Sequence, residues 1–182
     1  MDFLQHLENT AFSTWVRESG SLWSFPGILL AHTYGMGILV GIIIAIDLRI
    51  LGFTPALPLA PMKKFLPIVW AAFWINALTG TILLVADATT KVANPDFGVK
   101  MGFIVLAVIT QRKIQKHVFG DPQIDKAPSS ARAKMLAVSS LVCWLGAITA
   151  GRLLAYVGPV SDRKSTRLNS SHSDRSRMPS SA

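Results

Sequence analysis

Two long stretches of the chain contain no charged residue, and they constrain the fold more than any other feature. Pro26 to Ile46 comprises 21 such residues, and Phe65 to Ala86 comprises 22. A helix needs about 20 apolar residues to cross the hydrocarbon core of a bilayer, so each stretch is long enough for a transmembrane span. The whole chain is 51% hydrophobic and 15% charged, whereas soluble domains are about one quarter charged. The sequence therefore predicts an integral membrane protein.

A third span is predicted from a shorter apolar run. Met101 to Gln111 contains only 11 uncharged residues, which is about 16 Å of helix against a hydrocarbon core of about 30 Å. Asn94 and Pro95 have the character of an N-cap and a first helical residue. We therefore predict that the helix begins there and carries Lys100 into the outer part of the membrane.

The fourth span follows the same logic. Met135 to Gly151 supplies 17 uncharged residues, and the span reaches full length if Arg152 also lies in the outer part of the membrane. Gly158 and Pro159 are expected to end the helix. The predicted spans thus lie near residues 25–48, 65–87, 96–116 and 132–157, and the fold class is an all-α membrane four-helix bundle within residues 23–160. Residues 1–22 have apolar side chains near helical spacing, which predicts an amphipathic interfacial helix.

Positive charges near the span ends favour one orientation. Nine lie on one side and four on the other. The larger set is Arg49, Lys63, Lys64, Arg112, Lys113, Lys116, Lys126, Arg132 and Lys134; the smaller set is Arg17, Lys91, Lys100 and Arg152. Cytoplasmic loops carry the excess of Lys and Arg. We therefore predict that the loops Phe53 to Met62 and Phe119 to Ser130 lie in the cytoplasm, with both chain ends outside.

Residues 161–182 differ in composition from the rest of the chain. Asp162 to Ala182 reads DRKSTRLNSSHSDRSRMPSSA, which resembles a translated sequencing adapter; a disordered basic tail is the alternative. Without this segment the chain has 13 basic and 8 acidic residues and a net charge of +5. The basic pI therefore gives no support for nucleic-acid binding.

Four ionisable residues are predicted to converge on the outer side: His32, Asp87, Lys100 and Arg152. Ionisable residues within spans are costly and usually functional, so these are the candidate cofactor-binding residues. Structural roles are the alternative: Lys100 could pair with Asp96 one turn away, Arg152 could contact phospholipid, and His32 could bond another helix. The sequence identifies no catalytic residue and no metal site, and the single Cys143 excludes a disulfide framework.

Small residues recur at helical spacing in two of the predicted spans, and an acidic residue lies near the end of the first span. Gly37, Gly41 and Ala45 recur every four residues, as do Ala147 and Gly151 in the fourth span, and we expect these small residues to permit close helix packing. Asp47 is expected to mark the end of the first span and to pair with a loop cation.

The chain resembles a family of uncharacterised short bacterial four-span membrane proteins in the segments WSFPGILLAHTYGMGILVGIIIAIDLRILG, LTGTILLVADA, NPDFGVK and AGRLLAY. The resemblance covers nearly all of residues 1–158 and implies a bacterial inner-membrane location without an assigned activity. A more distant similarity is to membrane-type protoporphyrinogen oxidase, which implies that His32 and Lys100 would hold haem. Copper-resistance type membrane domains share a similar first span.

These observations predict a small inner-membrane protein with an outer-side polar pocket for b-type haem or another anionic ligand. The alternative is a non-catalytic structural subunit that binds a membrane-protein partner or a second copy of the chain. A small transporter ranks third, because it would need polar residues through the centre of the bundle and only Asn76, Thr79 and Thr81 are candidates. The sequence does not decide whether the protein is an enzyme; its predicted surroundings are the lipid bilayer, with no nucleic acid.

Overall fold

The computed structural model describes residues 2–122, 124–125 and 129–156, and the regular structure within them is entirely helical. The α-helices are α1 (Asp2–Glu8), α2 (Ala11–Glu18), α3 (Phe25–Leu51), α4 (Leu66–Val85), α5 (Ala88–Val92), α6 (Pro95–His117) and α7 (Ala131–Tyr156), with one 3₁₀ helix at Ala60–Phe65. The all-α prediction is confirmed. The predicted tail and the predicted stop at Gly158 and Pro159 lie outside the described residues.

Three segments of the described chain are long and apolar enough, by length and composition, to cross a membrane. They are Phe25–Leu51, Ala60–Val85 and Ala131–Leu154. The remaining long helix, α6, has 23 residues but is not apolar enough to satisfy the same criterion. The structure therefore supports an integral membrane protein, while a fourth span through α6 stays a prediction.

Local sequence explains where the long helices begin and end. α6 begins as predicted, with Pro95 in its first turn and the Asn94 side chain accepting a hydrogen bond of 2.9 Å from the backbone N–H of Asp96. α3 ends at Gly52, whose φ of 97° is left-handed and whose N–H donates to the carbonyls of Leu48 and Arg49. A left-handed residue at this position favours glycine, because a side chain there would be strained.

Ser24 precedes α3 but does not cap it. Its buried hydroxyl instead donates to the carbonyl oxygens of Ser21 at 2.6 Å and Ser19 at 3.0 Å, and so it fixes the chain before the helix. After α3, the predicted loop Phe53 to Met62 contains turns and continues into the 3₁₀ helix Ala60–Phe65. The Asp125 carboxylate, from the connection between α6 and α7, accepts the backbone N–H groups of Leu59 and Ala60 at 2.5 and 3.0 Å.

The N-terminal segment is two short helices rather than one interfacial helix, because Thr10 caps α2 and interrupts the chain between them. Both helices dock on the junction between α4 and α5. The Glu8 carboxylate accepts the Thr89 hydroxyl at 2.7 Å, and Arg17 donates to Glu8 at 3.1 Å and to the Ala86 carbonyl at 3.3 Å. The hydrogen bond from the Thr89 hydroxyl, aided by Arg17, holds the pKa of Glu8 below its usual range. We call this end of the molecule the α5 end, and the opposite one the 3₁₀ end.

The four long helices pack in the order α4, α3, α7, α6. Two clusters of buried apolar side chains fill the interfaces between these helices. The first includes Leu39, Ile43, Val69, Ala107 and Trp144; the second, nearer the 3₁₀ end, includes Ile46, Ile50, Ile114 and Ala137. Within this order α4 and α6 are the outer helices, and they face each other across the site described below.

The expectation about small residues in the first span is wrong. Gly37, Gly41 and Ala45 are exposed, and a Cβ added at either glycine would meet no atom of the described chain within 4 Å. The close approach on α3 occurs instead at Gly35, where an added Cβ would lie 2.6 Å from the Asn76 amide nitrogen of α4. In the fourth span Ala147 is buried, and Gly151 lies beneath the Lys100 side chain.

Candidate functional site

A cavity of about 260 Å³ lies between all four long helices, towards the α5 end. Its wall is mainly apolar and includes Met36, Leu39, Phe73, Phe97, Ile104 and Ile148. Polar or ionisable groups enter the lining from each helix: His32 from α3, Asn76 and Thr81 from α4, Lys100 from α6 and the Trp144 indole from α7. An apolar enclosure with a few convergent polar groups is the usual character of a small-molecule site. We refer to it as the central cavity.

The orientation of His32 is fixed by a hydrogen bond to α4. Its Nδ1 lies 2.9 Å from the Thr79 hydroxyl oxygen, and that hydroxyl lies 2.7 Å from the Ile75 carbonyl of its own helix. The hydroxyl has one hydrogen, which it donates to Ile75, so it accepts a hydrogen bond from His32. We infer that the imidazole carries its proton on Nδ1, which leaves a lone pair on Nε2.

Gly80 supplies the space that this orientation needs. A Cβ at this position would lie 3.1 Å from the His32 Cε1 and 3.6 Å from its Nδ1. The contact explains why a glycine follows Thr79 in a helix where alanine would be intrinsically more favourable. The pair of Thr79 and Gly80 thus places the histidine ring against α4.

Lys100 is a cation without a partner in the described structure. Its side chain passes over Gly151 of α7, with Cε and Nζ at 3.5 and 3.7 Å from an added Cβ there. The pair with Asp96 that its spacing allowed does not form, since the ion pairs of the described residues are Arg17–Glu8 and Lys91–Asp87.

The other two candidate residues lie outside the central cavity. Asp87 is at the N-terminus of α5, 44% exposed, with its carboxylate 4.0 Å from the Lys91 ammonium group. Lys91 also donates to the Leu83 carbonyl at 2.6 Å, and burial lowers the pKa of this lysine. Arg152 is exposed on α7. The structure therefore brings His32 and Lys100 to one cavity, and neither Asp87 nor Arg152 joins them in its lining.

Three buried polar residues lie between the central cavity and the 3₁₀ end, and none of them was predicted as a site residue. Asp47 is 0% exposed, and neither of its carboxyl oxygens has a hydrogen-bond partner among the described residues, so its assignment as a span boundary paired to a loop cation is wrong. Gln111 and Ser140 are likewise buried, with unpartnered side-chain atoms. Helical spacing could have identified Asp47, since it lies four residues after buried Ile43 and three before buried Ile50.

The Thr79 hydroxyl should determine which nitrogen of His32 carries the proton. Thr79→Val keeps the shape and the helix propensity of the side chain but removes the acceptor. We expect ¹⁵N NMR of histidine-labelled protein to show Nδ1–H in the parent and a mixture of tautomers in the variant.

Thr149→Val is the matched control, because Thr149 makes the same hydroxyl-to-carbonyl bond, to Leu145 at 2.8 Å, without a histidine. It should leave the His32 signals unchanged, and His32→Gln identifies those signals. An unaltered tautomer in Thr79→Val would show that this hydrogen bond does not orient the ring.

The donor set of the described residues is unlike a metal centre, since they contain no group of three His, Cys, Asp or Glu side chains that could hold a metal ion. Comparisons of the chain with protein-family models, curated proteins and solved structures found no match. The site is therefore interpreted from its own geometry.

Proposed function

We propose that the protein binds a single-chain anionic amphiphile in the central cavity, with the ligand's acidic group on Lys100. The observation that carries the proposal is an ammonium group without an ion pair at a largely apolar cavity. An unpaired cation in apolar surroundings costs several kcal/mol, which a bound anion would offset. A ligand with an apolar body and one acidic group satisfies both parts of the lining.

The charge distribution around the cavity favours an anion over a neutral or cationic ligand. Among the described lining residues Lys100 is the one Lys, Arg, Asp or Glu, and the Asp87 carboxylate lies outside the lining, 4.0 Å from the Lys91 ammonium group. The cavity of about 260 Å³ is slightly below the range of about 300 to 1,000 Å³ in which drug-sized ligands are enclosed. These dimensions favour one acyl chain, as in a fatty acid or a lysophospholipid.

The proposal includes a four-span topology in a bacterial inner membrane, with the central cavity in the outer half. The distribution of Lys and Arg supports this orientation. The packing of α6 against α7 supports insertion of α6 into the membrane beside the other spans. Lys64 is then cytoplasmic.

A cysteine introduced at Lys64 should react with a membrane-impermeant reagent only after the cells are opened. Labelling from outside intact cells would contradict the orientation.

Lys100→Met should weaken binding of an anionic amphiphile, because it removes the charge while keeping an unbranched side chain of similar helix propensity. The probe is a fatty acid brominated on its chain, which quenches nearby tryptophan. Trp144 lines the cavity, so the measurement uses a chain in which the other four tryptophans are replaced by phenylalanine. A hydrogen bond to a charged group contributes about 1.5–3 kcal/mol, so affinity should fall by at least about tenfold.

Lys113→Met is the control on the same helix, because Lys113 is exposed and does not line the cavity. It should bind the brominated fatty acid as the parent does. A brominated alcohol of equal chain length should bind the parent and Lys100→Met alike, since it carries no charge. Equal affinity of the fatty acid for Lys100→Met and the parent would reject the proposal and favour a structural role for Lys100.

Haem b is the second candidate ligand, favoured by the free Nε2 lone pair of His32. His32 would hold the haem iron through Nε2, and Lys100 would hold a propionate or, after losing its proton, the iron. The haem would supply redox chemistry when bound. The size of the cavity ranks haem second, because a macrocycle would require α4 and α6 to separate further. Protein purified from haem-replete cells should then show a Soret band that His32→Ala removes; absence of the band excludes this candidate.

A further inference from the structure

A second polar site, distinct from the central cavity, lies between the helices nearer to the 3₁₀ end. It consists of Asp47 on α3, Gln111 on α6 and Ser140 on α7, which we call the Asp47 layer. The three side chains are 0%, 2% and 0% exposed. Both Asp47 oxygens, both polar atoms of the Gln111 amide and the Ser140 hydroxyl lack a hydrogen-bond partner within the described residues. Most buried polar groups are satisfied, so a group of five unpartnered atoms needs a physical explanation.

Helical register places the three residues at one level. On each helix the polar residue is preceded and followed, at a spacing of three or four, by members of the two apolar clusters: Ile43 and Ile50 around Asp47, Ala107 and Ile114 around Gln111, and Ala137 and Cys143 around Ser140. α3 packs directly against α7, so Asp47 and Ser140 lie on adjoining helices at this level. The Asp47 layer is therefore enclosed by apolar side chains on both sides.

No described cation neutralises the Asp47 carboxyl group. On α3 itself, Arg49 turns away and donates to the carbonyls of Leu57 and Pro55. On α6, the Arg112 guanidinium lies 4.2 Å from the centre of the Trp70 ring of α4. On α7, the titratable group at this level is the buried thiol of Cys143.

An unpaired carboxylate in such surroundings would cost several kcal/mol. The group must therefore carry a proton or hold a cation. Sodium sites within membrane proteins draw on the carbonyl groups of unwound helices, whereas α3, α6 and α7 are continuous through this level. Their carbonyls are engaged in helical hydrogen bonds, which leaves too few oxygens to replace the hydration shell of a metal ion.

We propose that Asp47 is a proton-binding site in the membrane interior, protonated at pH 7, with the Ser140 hydroxyl and the Gln111 amide oxygen as the acceptors available to its O–H. The protonated acid is neutral and supplies the donor that these acceptors lack. Ser140 is one helical turn from Trp144, whose indole N–H is also unpartnered and whose ring lines the central cavity. The proton site and the ligand cavity are thus neighbours along α7.

Infrared difference spectroscopy of the full chain in lipid nanodiscs tests this proposal. The carbonyl stretching band of a buried protonated carboxylic acid should be present at pH 7 and absent in Asp47→Asn. Asp125→Asn is the control, because Asp125 is exposed and bound to two backbone N–H groups; it should keep the band. A parent-minus-Asp47→Asn spectrum that contains only carboxylate bands at pH 7 would overturn the proposal.

Two further measurements keep the test decisive. Adding sodium chloride in place of choline chloride should leave the band unchanged, whereas its loss would indicate a sodium site and contradict proton binding. If Asp47→Asn does not fold, Ser140→Ala replaces it, since removing one acceptor should shift the band without abolishing it. A band unaffected both by Ser140→Ala and by Gln111→Leu would belong to a carboxyl group elsewhere and would overturn the assignment.

Discussion

The separation of α4 from α6 determines where polar chemistry can occur in this molecule. α3 packs against α4 and α7, and α7 packs against α6, so the two outer helices are held apart by the helices between them. Arg112 of α6 lies over the Trp70 ring of α4, which joins a cation to an aromatic face. Towards the α5 end, residues of both helices line the central cavity.

The interior polar groups consequently fall at two levels with different chemistry. At the central cavity the ionisable groups of the lining are the His32 imidazole and the Lys100 ammonium group, which has no ion pair among the described residues. At the Asp47 layer the polar groups are enclosed and carry one acidic side chain without a cation. At the central cavity a bound anion would supply the negative charge that Lys100 lacks as a partner. In the Asp47 layer a bound proton would neutralise the carboxyl group and supply a hydrogen-bond donor.

Much of the fold could be predicted from charge-free run length and from caps. The start of α6 at Pro95 followed from the Asn94 cap, and α4 from the 22 uncharged residues of its stretch. The docking of α1 and α2 on the α4–α5 junction could not be predicted, because its hydrogen bonds join residues 72 and 81 positions apart in the chain. Thr10 is the local signal for the break between the two helices.

The candidate site was predicted only in part. The length of a charge-free stretch indicates how deep a residue lies in the membrane, but not to which side of the helix its side chain points. Equal depth suggested that Arg152 and Asp87 would join His32 and Lys100, yet the first is exposed and the second meets Lys91. For the same reason Asp47 was assigned to a span boundary, although its spacing from Ile43 and Ile50 places it on the buried face of α3. The glycines of α3 show the same limit: Gly35 packs against α4, whereas Gly37, two residues later, does not.

The central claim is that the space between α4 and α6 holds an anionic amphiphile on Lys100. A crystal structure of the full chain grown with a chain-brominated fatty acid tests it most directly, because bromine is located by its anomalous scattering. The account predicts bromine between α4 and α6 and a carboxylate oxygen within hydrogen-bonding distance of the Lys100 Nζ. Bromine found only on the outer surface of the helices, with Lys100 paired to a protein carboxylate, would contradict it.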